Sequence, residues 1–443
     1  MVRTLLILLG LIFLFLVPPL QKPDEETHFL RSLALANGVM SCGPQQAQIA
    51  IPQEYNRMIS DIKKAIPEYT KPHTFPLLLY NQSVFLQSQK NTTIPVGSYC
   101  RFPIISYVPQ VLGIYFGLLF SLNPYITFFL GRAMLFIVSL IWIDKLLKSA
   151  PKLLTQWYAL VFCLPLFVHQ ATSYGYDAIP VLLFFTFFSH IWLMTTTQNL
   201  SVRKWITASI LLLLFLLSRR GGYEPLGLLL FLPLVPASTK TRLAHWWLGA
   251  LVLVSATLYI ALLAINYASY GSSGMPLDAN PPEQFALLLQ HPYRILMLFA
   301  RTLLTKSWFY LLSSVGTLGM LEYRVSAWVY VLYAGVAAAI INKSKKERTI
   351  TKPIMYFILG TILLEILCLM LVLYVTWTTV GNPVIEGIQG RYFWPLIPLI
   401  GILLVKIRPW KARYINIHLS IQAILLMSVI VSIAYTVIQR YFR

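Results

Sequence analysis

A chain of 443 residues that is 57% hydrophobic and only 11% charged, with a mean hydropathy of +0.69, is too apolar to fold as a water-soluble globule. The formal charge of +20 would suit nucleic acid, but the basic residues gather in short clusters between apolar runs, as cytoplasmic loops of membrane proteins do. Composition therefore excludes a soluble enzyme and a nucleic-acid binder, and leaves an all-α polytopic membrane protein with one integral domain over residues 1–443.

The first apolar run, Thr4 to Leu20, has Arg3 as a basic flank but ends in Pro18-Pro19-Leu20-Gln21, which offers no small-residue cleavage site. It reads as a retained first helix. A polar segment of about 80 residues follows, Gln21 to Phe102, too long for an idle connector and holding six of the fifteen acidic residues. Phe29, Leu33 and Ala36 recur at helical spacing, so PDEETHF at 23–29 is expected to open a helix lying along the membrane surface, with Pro23 in its first turn. Cys163 and Cys368 sit in apolar runs and read as packing residues. Cys42 and Cys100 bracket the polar segment, either bridged or free.

Apolar runs continue at 104–121, 125–143, 156–172, 178–195, 205–218, 225–236, 244–267, 293–312, 325–341, 353–376, 393–405 and 415–438, several shorter than the roughly 20 residues of a span. Basic clusters set the orientation: Lys145, Lys148 and Lys152; Arg203 and Lys204; Lys240 and Arg242; Lys343 to Lys352; Lys406 to Arg413. Placing all five inside requires that one of the runs 104–121 and 125–143 be re-entrant or interfacial. It also requires that 293–312, with Arg294, Arg301 and Lys306, be an outer interfacial helix. About eleven spans remain, with the N-terminus inside and the C-terminus outside. The long first segment, 21–102, and the later loops SYGYDA, SRRGGYEP and GNPVIEGIQGRYF then share the outer face.

On that face the carboxylates Asp24, Glu25 and Glu26 repel one another and call for cationic partners or an ion, and such a cluster readily supplies a general base. Its bland reading is an acidic helix N-terminus. His28 follows Asp24 by one helical turn, so the two can share a hydroxyl or a metal, but no second metal-ligand motif accompanies it and a hydrogen-bonded structural histidine is the plainer reading. Asp177 either caps the helix beginning at Ala178 or acts in a site. Arg219 and Arg220, before Gly221-Gly222 and Tyr223, suit a lipid phosphate approached by backbone amides, with interfacial snorkelling as the alternative. Gln389 and Arg391 in IQGRYF repeat that pattern, with an aromatic belt as the alternative. Asn81 and Asn91 begin glycosylation sequons that read as accidental. No Walker, zinc, dinucleotide or G-x-S-x-G motif is present, so any energy must arrive with the substrate. No motif demands a cofactor, and the acids leave a divalent cation as an option.

PPLQKPDEETHFLRSLALANG resembles the opening of a bacterial predicted-membrane-protein family, the domain of unknown function DUF2142. Further similar stretches are FPIISYVPQVLGIYFG and LGRAM, LPLFVHQATSYGYDA, SVGTLGMLEY and GIQGRYFWPLIPL, so the resemblance covers nearly the whole chain. Members of that family look like GT-C glycosyltransferases, which take a sugar from a polyprenyl-phosphate carrier on the outer face of the cell membrane. The resemblance implies catalytic roles for Asp24 and Glu25 in the first outer loop and for Asp177 in a later one. The residues expected to contact substrate are His28, Arg219, Arg220, Tyr223, Gln389 and Arg391. Where a lysine is expected before the tyrosine-proline element, this chain has Arg219 and Arg220. The expected partners are a polyprenyl-phosphate-linked sugar, an envelope glycan, lipid or protein acceptor, and membrane lipids. A lipid-linked glycan flippase and a non-catalytic scaffold for envelope polymer assembly are the competing expectations.

Overall fold

The computed structural model describes residues 2–40, 48–65, 85, 90–95, 102–219, 221–237, 247, 279–343, 350–407 and 419–442. Cys42, Cys100, Asn81, Arg220 and most of the run 244–267 lie outside the described residues, and with them the disulfide expectation. The chain builds α1 (Val2–Leu16), α2 (Glu25–Ala36), β1 (Gln48–Pro52), α3 (Gln53–Ala65) and β2 (Asn91–Pro95). Then follow α4 (Val108–Leu119), α5 (Pro124–Ser149), α6 (Lys152–Phe162), α7 (Pro165–Ala171), α8 (Ala178–Thr197) and α9 (Val202–Leu217). After a 3-10 helix at Glu224–Leu234 come α10 (Pro281–Gln290), α11 (Arg294–Val315), β3 (Thr317–Leu318), β4 (Tyr323–Arg324) and α12 (Ala327–Lys343). The last elements are α13 (Lys352–Trp377), a 3-10 turn at Gly390–Phe393, α14 (Leu396–Ile407) and α15 (Leu419–Tyr441).

Among the described residues, α5, α8, α11 and α13 are long and apolar enough to cross a membrane, and α6 with α7 makes a fifth if that pair is one span. Five shorter apolar helices accompany them, so the molecule is an all-α membrane protein. The run 156–172 is not one straight helix. Pro165 opens α7, its missing N–H interrupts the helical ladder, and the axis bends by 76°. Of the two runs before Lys145, the first forms a 3-10 turn at Ile104–Tyr107 that leads into the 12-residue α4. It folds back on the 26-residue α5 through a turn that Asn123 caps by accepting from the Ile126 amide. Gly113 and Gly117 allow this close hairpin: a Cβ on Gly113 would overlap the α5 backbone at Leu130, and one on Gly117 would overlap Thr127.

Polar contacts at its two ends fix the direction of the bundle. At one end Arg3 and Lys148 both pair with Asp144, Lys148 at 2.7 Å. At the other, Arg132 donates to the carbonyls of Val17 and Pro18 at 2.8 and 3.0 Å. Helices α1 and α5 are thus antiparallel, and at 1.5 Å per residue the two contacts lie about 20 Å apart. Helix α8 begins at Asp177 and α9 ends at Arg219, so Arg203 and Lys204, between them, lie at the Asp144 end.

Helix α11 lies against the opposite end along much of its length. Thr302 Oγ1 accepts from the Ile385 amide and Ser313 Oγ from the Gly390 amide, both at about 3 Å, so two points eleven residues apart touch the same short loop. Leu298, Phe299 and Tyr310 bury themselves with Met370 and Tyr374, in the last two turns of α13.

The segment 25–36 corrects the expectation of a surface helix. Phe29, Leu33 and Ala34 are completely buried, packed with Tyr55, Phe128 and Tyr174, and His28, Arg31 and Ser32 are buried as well. Helix α2 is therefore enclosed, covered by α3 and the antiparallel β1–β2 ladder on one side and by α4 and α5 on the other. Arg31 pins its surroundings by donating to the carbonyls of Phe102, Val39 and Met40. Pro23 precedes the helix rather than lying in its first turn, because Asp24 takes a left-handed conformation (φ 60°) and the helix starts at Glu25.

Candidate functional site

Five segments far apart in the chain converge at the end of the bundle opposite Asp144: residues 17–31, 102–110, 169–177, 215–224 and 389–392. Each is the end of a helix or the link beyond one, so the site is built from helix ends held by a packed bundle.

Glu25 anchors it. Both of its oxygens accept from Arg132, Oε1 from Nε at 2.8 Å and Oε2 from Nη2 at 2.7 Å, and both side chains are fully buried. Oε1 also accepts from the Tyr174 amide at 3.0 Å. With its lone pairs so committed, Glu25 ties the first outer segment to α5 and to the SYGYDA loop. Its carboxylate is thus engaged on both oxygens rather than open to a substrate. Glu26 is only an exposed partner of Lys63 on α3. Asp24 remains exposed, and its side chain makes no capping hydrogen bond. The His28 ring is turned inward against Phe102, Tyr107 and Tyr176, with Nδ1 2.6 Å from the Tyr107 hydroxyl. Burial, and then the Lys22 charge, hold His28 well below its ordinary 6.5, so it is a neutral imidazole at neutral pH.

Asp177 is the hub. It stands at the N-cap position of α8 but makes no capping hydrogen bond. Its carboxylate faces Arg391, with Nε 3.0 Å from Oδ2, and Arg219, with Nη1 3.6 Å from Oδ1. Burial raises its carboxyl, but Arg391, Arg219 and Lys22 together bring it below the usual carboxylate range. The choice left open by sequence between cap and site residue is thus decided against the cap.

Arg219 does not snorkel. Its guanidinium carbon lies 4.5 Å from the Tyr223 ring and 4.4 Å from the Tyr392 ring, and Tyr176 is 5.8 Å away. The Tyr223 hydroxyl donates to the Tyr392 carbonyl, locking the two rings that grip it. The glycine pair departs from expectation. Gly221 and Gly222 both have positive φ, but the Gly222 amide already donates to Glu224 Oε2 at 2.7 Å. That amide is spent inside the loop, and arginine side chains are left to meet an anion.

Lys22, which sequence reasoning passed over, completes the set. It is buried, donates to the Tyr174 carbonyl at 2.9 Å and lies against the backbone of Gly175, where a Cβ would overlap its ammonium. Burial, opposed by Asp177, lowers it to about 8. Lys22, Arg219 and Arg391 are thus three buried cations around one carboxylate. Asp177 Oδ1, Arg391 Nε and Nη1, and Gln389 Oε1 are buried without a hydrogen-bond partner. Such an arrangement is electrostatically complementary to an anion that also accepts hydrogen bonds. Beside it, Arg219 and Gly221 adjoin the apolar side chains of Phe215 and Leu216. Among the described residues no three His, Cys, Asp or Glu side chains gather as a metal site.

A family of predicted membrane proteins, DUF2142, matches residues 6–400. The chain belongs to this family. Every site segment from Val17 to Tyr392 lies inside the matched range, and α15 lies beyond it. No curated protein and no solved structure matches the chain.

Proposed function

We propose that this DUF2142 chain is an inverting membrane glycosyltransferase of GT-C type that moves a sugar from a polyprenyl-phosphate donor to an acceptor in the cell envelope. The observation that carries the reading is the surplus of buried cations, Lys22, Arg219 and Arg391, over the single carboxylate Asp177, with Arg391 Nη1 still without a hydrogen-bond partner. A phosphate attached to a hydrophobic chain suits the site: its charge the arginines, and its first apolar units the Phe215 and Leu216 side chains that adjoin Arg219.

In this reading Asp24, the exposed carboxylate at the rim, takes the proton of the acceptor hydroxyl as its oxygen attacks the anomeric carbon. The bond from that carbon to the phosphate oxygen breaks on the opposite side, and its electron pair leaves with the phosphate. Arg391 and Arg219, steadied by Asp177, Tyr223 and Tyr392, stabilise the departing charge, while Gln389 and His28 contact the sugar. Glu25 and Arg132 hold the loop that carries Asp24.

The same proposal places the site outside the cell. Arg3, Lys148, Arg203 and Lys204 all lie at the opposite end of the bundle, which the positive-inside rule makes cytoplasmic. The N-terminus is then inside, α4 is a non-spanning hairpin arm, α11 is an outer interfacial helix, and about eleven spans make up the whole chain. The test is purified protein with labelled polyprenyl-phosphate sugars and envelope acceptors. Transfer that wild type supports and Asp24→Asn lacks is the expected result, and full transfer by a well-folded Asp24→Asn refutes the assignment.

A further inference from the structure

Glu365 lies near the middle of α13, an otherwise apolar helix of 26 residues, and is 1% exposed. The Leu226 amide approaches it, but neither carboxylate oxygen completes a hydrogen bond, and no cation pairs with it among the described residues. The charged groups acting on it are Glu224, at the head of the 3-10 helix packed along α13, and then Arg219. Tyr223 and Cys368 are its other titratable neighbours. Of the other helices packed on α13, α14 carries only Lys406, at its far end, α10 only the exposed Glu283, and α11, against the last two turns, the exposed Arg294, Arg301 and Lys306.

A bare carboxylate without a cation is strongly disfavoured in such surroundings, and a second carboxylate facing it disfavours the charge further. The smallest cation that relieves both is a proton. The position also has a mechanical link to the site. Gly222 lies so close to Leu369, one turn beyond Glu365, that a Cβ there would press on it, and Cys368 Sγ lies 3.9 Å from Glu224 Oε2. The loop that follows Arg219 therefore rests on α13 one turn beyond Glu365.

We propose that Glu365 is an intramembrane proton-binding site, formed with Glu224 beneath the Arg219 loop. With the proton bound, Glu365 leaves Arg219 to Asp177. With the proton released, its carboxylate competes with Asp177 for Arg219 and weakens the anion site. This inference rests on the burial of Glu365 and not on glycosyl transfer, so the two fail independently.

The experiment is labelling of the purified full chain in detergent with dicyclohexylcarbodiimide, an apolar reagent that needs a protonated carboxyl in an apolar setting. Peptide mass mapping across about pH 6 to 9 reads the result. The expected outcome is an acylurea on Glu365 at neutral pH, absent from Glu365→Gln and falling as the pH rises. In Glu224→Gln the fall moves to lower pH, because the neighbouring charge that retains the proton is gone. Absence of label on Glu365 throughout that range, in protein that stays monodisperse, overturns the proposal. So does label indifferent to Glu224→Gln. Protection by sodium or potassium chloride at constant pH assigns the site to a metal cation instead and equally overturns it.

Discussion

Glu25 and Arg132, 107 positions apart, form a two-pronged ion pair with neither side chain exposed to solvent. The pair is the clasp between the first outer segment and the bundle. Removing one partner leaves a buried charge uncompensated, so Arg132→Leu or Glu25→Gln should destabilise the chain by about 3–5 kcal/mol. The double variant Glu25→Leu with Arg132→Met should recover part of that loss. Thermal unfolding in detergent followed by size-exclusion profile checks both, and equal damage from single and double variants contradicts the clasp.

Glu26 gives the contrasting case. Its bridge to Lys63 is at the surface, with 30% and 52% of the two side chains exposed. Glu26→Gln should change stability by no more than about 0.5 kcal/mol and leave transfer intact. In Asp24→Asn the same measurements should show an unchanged fold with transfer reduced by about 100- to 10,000-fold, the usual contribution of a general base.

Lys22 should make phosphate binding sensitive to pH. Because burial brings its ammonium to about 8, affinity for a short-chain lipid phosphate is expected to weaken as pH rises through that value. Lys22→Met should bind more weakly and lose that dependence, as titrations at several pH values will show. The linkage sign for stability is opposite. From about 8 to the ordinary 10.5 the unfolded chain holds more of this proton than the folded chain, so this group makes stability rise with pH across that window.

Arg391→Lys should not substitute for the native residue. The guanidinium offers Nε and Nη donors in one plane beside Asp177, whereas an ammonium acts as a point charge. The expected result is weaker lipid-phosphate binding at unchanged melting temperature.

Gly390→Ala tests the seat of Arg391. A Cβ there would overlap the α11 backbone at Tyr310 and Ser314, which cannot rotate away as a side chain can. Melting temperature and phosphate binding should fall together. Unchanged values would mean that the 390–393 turn is not wedged against α11.

Much of the site was legible in the residues because a charge beside or inside an apolar run must find a partner. That rule singled out Asp177, Arg219 and Arg391, and the structure brings these three together. Applied to LGRAM and to the lysine before PDEE, it would also have found Arg132 and Lys22. What it could not do was sort Asp24, Glu25 and Glu26, because three neighbouring carboxylates look alike until their partners are known. Those partners lie on α5, in the SYGYDA loop and on α3, between 37 and 149 positions away.

The sequence by itself determined the solvent of this protein. Apolar runs with few charges require helices whose backbone groups are satisfied internally, and basic clusters between them label one end of the bundle. Tertiary structure alone decided that α2 is enclosed, that the 156–172 run is bent, and that the Gly222 amide is spent on Glu224. It also decided which acid is clasped, which is free and which holds the arginines. Periodicity and composition are local, whereas a carboxylate's role is set by the charges that the fold places a few ångströms from it.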